Sequence, residues 1–477
     1  MTKSVLRNIF IFFFISFLFF ACQKEAFILD IHKITFSTDT LLFDTVFATI
    51  GSTTKWIKIY NNDKQPLQFK AIYLQGGTNS PFRINLNGLA GTHFSDIQLN
   101  GKDSMYLFVE VTIDPNNEKN AFIVQDSVIF ETTNGIKKLQ LVAFGKNAYF
   151  HYPTHPQTAY LPAYSLVSGT WKNDKPHVIY GYAVVDEDCT LIIPAGTRIY
   201  MHNNAVLWVY KGGTLKILGT HTQPVTIRGD RLDPYYRDLP GMWGKIWLSA
   251  GSKNNEIHFA DIRNGRIGIQ VDTIGNSTNP TLILSNSIIT NFSTAAFVAQ
   301  GSNVYAYNCV FGNAGYFSIL LNIGGNYVFK HCTVGNYWNV STRSTPAVVL
   351  NNYYKDIYGN WQIRDLTQAY FGNCIIYGNN DEEIGLDKFP AGGAFNYTFE
   401  NCLVKTKIDL SQGNFISSWK NQDPLFYKTD STKLWLKSNS PAIDRGNPSI
   451  TGAIGADILG NPRWVGSAPD LGAYEKQ

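Results

Sequence analysis

The second half of the sequence repeats itself, and this repeat constrains the fold more than any other feature. Six stretches align so that one small residue falls in register in each, with spacings of 27, 22, 23, 42 and 28 positions. The aligned residues are Ala260, Ser287, Cys309, Cys332, Cys374 and Cys402. Two positions later each stretch carries an apolar residue, from Ile262 to Val404. A period of roughly 20 to 30 residues made of short strands predicts a parallel β-helix.

Successive turns of such a helix stack about 4.8 Å apart, so equivalent positions form ladders. We therefore expect the six small residues to form a structural ladder in the interior. Four asparagines, two positions beyond the apolar residues, should mark bends that tolerate left-handed backbone: Asn264, Asn291, Asn313 and Asn336. Parallel stacking points neighbouring cysteines the same way, which suits disulfide geometry poorly. We expect free, buried thiols, and no cysteine spacing predicts a metal site or a cofactor.

Upstream of the repeat, Pro194–Thr197 and Gly212–Thr220 resemble the entry turns of right-handed β-helix surface proteins. The fold class expected from this is all-β, with a right-handed, pectin-lyase-like parallel β-helix of roughly nine turns over residues 178–422. Residues 149–177 are interpreted as a linker and entry segment. A β-helix has open ends that must be covered. We expect the Gly- and Pro-rich tail, residues 423–477, to form an irregular C-terminal cap.

The tail carries the most specific resemblance in the chain. Asp423–Phe426, Asn439–Gly446 and Pro469–Glu475 resemble the C-terminal signature of choice-of-anchor Q domain proteins. That resemblance implies a β-helix protein held at a bacterial surface by an anchor, and it implies no particular reaction. For the charged residues of the tail we predict a network that ties irregular loops together. A calcium site is the alternative, although no dense run of aspartates supplies its ligands.

A separate β-rich segment, residues 34–148, precedes the helix. Apolar and polar residues alternate along it, as in Ile57 to Tyr60, and turn residues such as Asn134-Gly135 separate the runs. About seven strands in this length predict a β-sandwich. The sequence from Thr49 to Asn61 resembles immunoglobulin-like modules of the abnormal-spindle/hydin kind that bacterial surface lipoproteins carry. The resemblance implies a spacer or a binding platform.

The first residues predict where the chain works. Lys3 and Arg7 precede an apolar run from Ile9 to Ala21, which is too short to span a membrane and is typical of a signal peptide over residues 1–21. Leu18–Cys22 resembles a lipobox, which makes Cys22 the expected lipid attachment site, carrying palmitate or a similar acyl chain, with residues 22–33 as the anchor linker. Gln23–Glu25 resembles the export tag of surface lipoproteins. We expect an outer-membrane protein, lipid-anchored and exposed at the cell surface.

Composition excludes one class of partner. Forty Lys and Arg residues against 36 Asp and Glu residues leave a net charge of only +4. A nucleic-acid-binding surface needs a basic excess, so no nucleic acid is expected as a partner. Aromatic residues make up 14% of the chain. Aromatic side chains on a β-helix surface favour carbohydrate as a ligand, because their flat faces stack on sugar C–H groups.

Two loops concentrate such residues. The spacing of 42 positions between Cys332 and Cys374 leaves room for an excursion, and a second excursion precedes Trp243. The candidate glycan-binding residues are Tyr235, Tyr236, Arg237, Tyr353, Tyr354, Tyr358, Trp361, Arg364 and Asp365. Loops on a rigid scaffold often carry function, and Arg and Asp make directional bonds to hydroxyl groups. We expect these loops to bind an extended polysaccharide along one face, without catalysis. The alternative is that the aromatic rings only pack each loop against its own scaffold.

Two other functions stay open from the sequence alone. The helix can be a structural scaffold or adhesin whose partner is a surface protein. It can also be an enzyme, since polysaccharide lyases and glycoside hydrolases use this architecture. The galacturonase-like Asn-Thr-Asp, Asp-Asp, Gly-His-Gly and Arg-Ile-Lys motifs are absent. A lyase built on Lys355, Arg364 and Asp365 remains an alternative.

Overall fold

The computed structural model describes residue 27 and residues 30–47, 51–114, 122–273, 279–411, 413–429 and 433–477. The predicted signal peptide, Cys22 and most of the anchor linker lie outside the described residues. The chain divides into two compact units, Met1–Asn147 and Ala148–Gln477. Each unit is almost entirely β-structure, as the sequence predicts.

Within the described residues, no helix combines the length and the apolar character needed to cross a membrane.

The first unit is a sandwich of two five-stranded sheets. One sheet contains, in order, Ile34–Phe36, Lys55–Asn61, Ser104–Val111, Phe82–Leu86 and Leu89–Gly91. The other contains Thr40–Phe47, Gly135–Lys146, Phe122–Thr132, Leu67–Leu74 and His93–Leu99. Alternation places Ile57 and Ile59 in the core while Lys58 points outward. The sheets have ten strands rather than seven, partly because short edge strands escape a pattern-based count.

The sandwich also contains two short 3-10 helices, Ile31–Lys33 and Gly77–Asn79.

The second unit is a parallel β-helix. Each turn contributes one strand to an eleven-stranded sheet, and the other strands of the turn to a seventeen-stranded sheet. The eleven-stranded sheet contains Tyr149–His151, His177–Ile179, Arg198–Met201, Val225–Gly229, Ala260–Arg263, Ile288–Phe292, Val310–Ala314, Thr333–Asn336, Ile375–Gly378, Leu403–Val404 and Trp419–Lys420. All of its strand pairs are parallel.

The seventeen-stranded sheet is also parallel throughout its consecutive turns. It contains Tyr164–Leu166, Gly169–Thr170, Tyr182–Val185, Thr190–Pro194, Val206–Val209, Thr214–Leu218, Lys245–Leu248, Asn255–His258, Ile267–Val271, Leu282–Ser285, Ala295–Tyr307, Phe317–Lys330, Val348–Asn351, Leu366–Gly372, Ile384–Asp387, Phe395–Glu400 and Phe415–Ile416. In most turns two separate strands belong to this sheet, whereas Ala295–Tyr307 and Phe317–Lys330 each run through both positions.

The ladders of the sequence repeat line the interior. Ile289 pairs in register with Ile262 on one side and Phe311 on the other, and the series continues to Val404. All of these side chains belong to one continuous core. On the seventeen-stranded sheet, the rings of Phe329, Phe371, Phe399 and Phe415 stack at 4.9, 4.9 and 5.0 Å. Burial of such a column stabilises the whole stack, because each ring covers its neighbours.

The chain bends at three corners in each turn. At the first corner, between the eleven- and the seventeen-stranded sheet, Asn264, Asn291 and Asn313 have φ of 70°, 66° and 48°, as their predicted bends require. Asn336 instead ends a strand, and its buried amide bonds to the backbone of Ala314. The second corner lies between the two strand positions of the seventeen-stranded sheet, at residues such as 300–303 and 322–326.

The third corner, which leads back to the eleven-stranded sheet, is a column of stacked residues whose backbone is in the left-handed conformation. The sequence analysis did not predict it. It contains Phe259, Asn286, Asn308, His331, Asn373, Asn401 and Ser417, all with φ between 47° and 53°. Each lies directly before a small residue of the ladder, and asparagine predominates because it tolerates this conformation.

The interpretation of residues 149–177 as a linker is wrong in part. Tyr149–His151 pairs in parallel with His177–Ile179, and Tyr164–Leu166 pairs with Tyr182–Val184, so the segment already forms the first turn. His151 is half-buried here, stacked at 4.6 Å on Trp171, and its Nε2 lies 2.9 Å from Nδ1 of His177. The Pro-rich sequence hides this turn because its strands are only two or three residues long.

The prediction that the tail caps the end of the helix is also wrong. Residues 423–477, here called the tail strap, contain one short α-helix, Pro448–Thr451, and pack along the outer face of the eleven-stranded sheet. Leu471 and Ala473 share a buried cluster with Val310, Ile375 and Leu403 of that sheet. These three outward positions of the sheet are apolar, so burial under the strap removes them from water. At the last turn, Ile408 and Leu410 pack against the helix core instead.

A buried charged network holds the tail strap in shape, as predicted. The Arg463 guanidinium donates to the carbonyl oxygens of Gly472 and Ala473 at 3.0 and 2.9 Å and lies 3.7 Å from a Glu475 oxygen. Asp457 accepts from the amide N–H groups of Leu459, Asn461 and Glu475, at 2.8 to 3.0 Å.

The other two carboxylates of the network are used in the same way. Asp470 accepts from the amides of Asp444 and Lys476, and Glu475 accepts from the amide of Asp470. Backbone N–H donors thereby satisfy these carboxylates.

Candidate functional site

The excursion predicted from the long repeat spacing is a β-hairpin at the second corner. Tyr353–Lys355 pairs antiparallel with Trp361–Ile363, between the strands Val348–Asn351 and Leu366–Gly372. Side chains alternate across a two-stranded ribbon. Because Lys355 pairs with Trp361 and Tyr354 with Gln362, the ribbon has two different faces. The candidate residues are therefore divided between them.

One face packs onto the following turn of the helix. Tyr353, Trp361 and Phe389 form a cluster with ring centroids 5.3 to 5.6 Å apart, and the Lys355 ammonium lies 4.5 Å from the centre of the Trp361 ring. The Tyr353 hydroxyl donates to Asp387 at 2.9 Å. Trp361 stays 50% exposed. On this face the rings pack the loop against its scaffold.

Tyr358 lies at the tip of the hairpin and is 82% exposed. Its backbone N–H and that of Asn360 both donate to the Asp356 carboxylate at 2.9 Å, which closes the turn. These bonds lower the Asp356 pKa against the opposing effect of desolvation. The tip is thus held by its own turn.

The other face borders a cleft of about 530 Å³. Tyr354, Arg364 and Asp365 line it from the hairpin side. The two preceding turns supply Ser302, Asn303 and Asn326 from the second corner, and Thr367 follows the hairpin. The cleft therefore brings together three predicted residues with hydroxyl and amide groups that the sequence analysis missed.

Two buried polar atoms of this group have no protein partner. Within the described part of the chain, Ser302 Oγ and Asn326 Oδ1 accept and donate no hydrogen bond. Buried polar groups are nearly always satisfied, so such exceptions call for a reason. By contrast, Asp365 uses one carboxylate oxygen to accept from the Ala394 amide at 2.7 Å. Ser302 and Asn326 both line the cleft, but these two atoms are themselves shielded from solvent.

The floor of the cleft is strained. Ile323 lines it with φ 62°, although a β-branched residue rarely adopts the left-handed region. Gly324 and Gly325 follow with φ of 70° and 121°, and the strand register shifts beside them. The cause lies below: the fully buried Tyr327 donates its hydroxyl to the Gly324 carbonyl at 2.7 Å and accepts from the Ser302 amide at 3.1 Å. This bulge sets the position of Ser302 and Asn326.

The second predicted loop lies elsewhere, at the first corner. The Arg231 guanidinium lies 3.3 Å from the centre of the Tyr236 ring, and Tyr235 packs on Tyr236 edge-on while 72% exposed. Arg237 pairs with Asp238 at 3.0 Å.

Asparagines of the first corner hold the backbone of this loop. Asn264 donates to the Arg237 carbonyl, and Asn291 donates to the Asp238 carbonyl at 2.7 Å. The loop is fixed on this ladder, at a different corner from the hairpin and about four turns away from it along the helix. The structure does not bring the two loops into one site.

The structural-ladder residues lie in the interior, where strand registers place each directly over the next. Cys309, Cys332, Cys374 and Cys402 are free thiols with no exposed surface. Burial raises the pKa of the Cys332 and Cys402 thiols well above the ordinary value. They are placed for packing.

Metal ligation finds no support in the described ranges, where no three His, Cys, Asp or Glu residues cluster in a way that would hold an ion.

The cleft residues that sequence reasoning missed come from turns of ordinary length. Ser302, Asn303 and Asn326 lie in strands that run through the second corner without an insertion. The Gly-Ser-Asn and Gly-Gly-Asn steps at 301–303 and 324–326 were an available signal, because glycine inside a strand marks a bulge.

No family model matches the chain, and no curated protein matches it. Among solved structures, a family 123 glycoside hydrolase from Clostridium perfringens is similar over 23% of this chain and 25% of that one, at 10% identity and a TM-score of 0.17. This chain thus spans a quarter of that structure. A GH87 alpha-1,3-glucanase from Streptomyces thermodiastaticus is similar over 77% of this chain and 88% of that one, at 10% identity and a TM-score of 0.22. Similarity this weak carries no functional argument.

Proposed function

We propose that the protein is a lipoprotein of the outer membrane, anchored at Cys22 and exposed at the cell surface, whose β-helix binds an extended polysaccharide without cleaving it. The binding site is the cleft beside Tyr354, Arg364 and Asp365. The observation that carries the proposal is the cleft itself, which an aromatic ring, a guanidinium, a carboxylate and the hydroxyl and amide side chains of neighbouring turns line together.

The chemistry of the cleft suits a sugar. A sugar hydroxyl both donates and accepts, so it can bond to hydroxyl and amide groups of the residues that line the cleft. The Arg364 side chain supplies donors, and the free oxygen of Asp365 supplies an acceptor. The ring of Tyr354 adds a flat surface for sugar C–H groups.

Binding fits the cleft better than hydrolysis. A glycoside hydrolase needs two carboxyl groups on either side of the bond that it breaks, roughly 5 to 10 Å apart. Of the described residues that line the cleft, Asp365 alone carries a carboxylate, and it bonds to the backbone of Ala394. The Tyr353, Trp361 and Phe389 cluster belongs to the opposite face of the hairpin and takes no part in the proposed site.

Affinity electrophoresis through gels that contain different plant, algal and host polysaccharides tests the proposal. We expect one polymer to retard the full-length protein. Tyr354→Ala and Arg364→Ala should each abolish most of the retardation. Tyr160→Ala, which removes a 95% exposed tyrosine in the first turn, is the matched control and should leave it intact.

Three outcomes would contradict the proposal, the first two in its function and the third in its site. If no polymer retards the protein, the scaffold or adhesin function with a surface-protein partner takes precedence, and the next search is for proteins. If a polymer retards the protein and is also shortened by it, the lyase or glycoside hydrolase function applies. If retardation persists in both cleft variants, binding occurs elsewhere on the molecule.

A further inference from the structure

A second cavity, here called the basic pocket, lies between the tail strap and the last turns of the eleven-stranded sheet. It has a volume of about 630 Å³. Tyr337, Tyr377 and Lys405 line it from the sheet, and Asp423, Lys428 and Lys437 line it from the strap. None of these residues belongs to the cleft or to either predicted loop.

The pocket is positively charged. Three lysines line it against one aspartate. Lys405 is engaged by the protein, since its ammonium donates to the Gly378 carbonyl at 2.9 Å and lies 5.3 Å from the Tyr377 ring. The ammonium groups of Lys428 and Lys437 have no hydrogen-bond or ion-pair partner among the described residues. No carboxylate of the described residues pairs with either ammonium group, and two such cations at one cavity attract an anion.

Two tyrosines, Tyr337 and Tyr377, form the aromatic part of the pocket. Tyr337 packs edge-on against Phe426 at 6.2 Å. Burial, with the Asp423 charge as a second cause, raises the pKa of both Tyr337 and Tyr377, so their hydroxyls stay protonated. No described residue accepts from or donates to these hydroxyls, which makes them free for a ligand.

The strap segment that closes the pocket is held in an unusual conformation. Leu425, which lines the pocket, has φ 52°. Leucine rarely adopts this left-handed region, which is more common for Gly, Asn and Asp. Its N–H donates to Asp423 at 2.9 Å, and its carbonyl accepts from the Lys437 N–H at 3.1 Å. Strained positions of this kind persist where the surroundings enforce them, and they concentrate at binding sites.

We infer that the basic pocket binds one acidic sugar unit, with Lys428 and Lys437 on its carboxylate or sulfate group and the tyrosines on its ring and hydroxyls. Lysine ammonium groups recognise either anion as point charges. A volume of about 630 Å³ admits a sugar unit rather than a bare ion alone. This inference does not rest on the cleft, because the two sites share no residue.

Calorimetric titration of the full-length protein separates the possible ligands. The probes are trigalacturonate, a sulfated heparin disaccharide, neutral cellotriose and sodium sulfate. We expect one of the acidic saccharides to bind, with affinity that falls as salt is added, and cellotriose and sulfate not to compete.

Variants assign that binding to the pocket. The double variant Lys428→Gln with Lys437→Gln should weaken binding at least tenfold and leave the melting temperature unchanged, because both side chains are exposed. The matched control Lys172→Gln with Lys211→Gln removes the same charge from exposed positions elsewhere and should bind as the unmodified protein does.

Three results would overturn the inference. The first is that neither acidic saccharide binds. The second is that the double variant binds as well as the control. The third is that sulfate competes at the same concentration as the saccharide, which would mean an adventitious ion only. Loss of polysaccharide retardation in the cleft variants, with titration at the basic pocket unchanged, would show that the two sites act separately.

Discussion

The β-helix unit has two polar regions that differ in one respect. Within the tail strap, Asp457, Asp470 and Glu475 are buried, and each accepts hydrogen bonds from backbone amides. In the cleft at the second corner, Ser302 and Asn326 each have a buried polar atom with no partner in the described protein. The carboxylates of the first region are satisfied by backbone donors, although the buried Arg463 Nε there has no partner among the described residues, whereas neither polar atom of the second region is satisfied.

The two regions therefore differ in how their buried polar groups affect the free energy of unfolding. A satisfied buried network contributes to stability through each of its members, and removal of one member leaves the others unpaired. An unsatisfied polar group costs free energy, roughly 1 to 3 kcal/mol, and its removal therefore stabilises the protein. The same kind of substitution should have opposite effects in the two regions.

The largest effect is expected at the only cation of the network in the described residues, Arg463. Arg463→Met keeps the volume and removes the charge, which leaves three buried carboxylates without their guanidinium. We expect a loss of about 3 to 5 kcal/mol in the free energy of unfolding, measured by denaturant titration. Arg445→Met, at an exposed guanidinium over the Trp419 ring, is the control and should cost less than about 1 kcal/mol. Equal costs would refute the closed network.

The next effect depends on pH. Burial raises the pKa of Glu475 from 4.5 to about 7. A carboxyl group whose folded pKa is raised favours folding while protonated, so its contribution is complete below pH 4.5 and is lost as the pH rises through 7. Glu475→Gln cannot ionise. We expect the melting temperature of the unmodified protein to fall relative to that of the variant between pH 5 and 8, and a constant difference would contradict the shift.

A matched pair of asparagines sharpens the comparison. Asn255, buried on the seventeen-stranded sheet, accepts from the Leu215 amide at 2.8 Å and donates to the Thr281 carbonyl at 2.9 Å. Asn255→Leu should cost about 2 to 4 kcal/mol, because both backbone groups lose their partner. Asn326→Leu should be neutral or stabilising and should weaken polysaccharide binding. Thermal unfolding measures the stability of both variants, and affinity electrophoresis measures their polysaccharide binding.

The smallest effect concerns the strained floor of the cleft. Ile323→Gly relieves a left-handed β-branched residue, and we expect a gain of at most about 1 kcal/mol in the free energy of unfolding. Ile283→Gly, in an extended strand of the same sheet, should instead lower it by about 1 kcal/mol. If Ile323→Gly lowers the free energy of unfolding as much as Ile283→Gly does, the left-handed conformation of Ile323 does not destabilise the protein.

The sequence predicted the interior of the helix well, for a physical reason. Stacked turns place Cys309, Cys332 and Cys374 in one environment, so the repeat of residue type follows directly from the geometry. The first turn was missed because its two- and three-residue strands are too short to show a period. The tail strap was misplaced because sequence shows that the tail is irregular but not which surface it covers.

The candidate site was predicted in part. Tyr354, Arg364 and Asp365 lie in an insertion that the repeat spacing reveals, and all three line the cleft. Tyr353 and Trp361 lie on the other face of the hairpin, because side chains alternate along its two strands. Composition alone does not show which aromatic residues share a face. Ser302 and Asn326 come from neighbouring turns, and only the stacking of those turns brings them to the hairpin.

The tail strap also has a mechanical consequence. In a solenoid each turn contacts only its neighbours, so turns can open one at a time. The strap links Arg463 to Asn308, Thr451 to His331 and Asn447 to Asn373, which lie in three different turns of the stack. Tension along the axis therefore cannot separate these turns in sequence, since the strap has to detach from all of them together. It makes this part of the helix behave as one block under load.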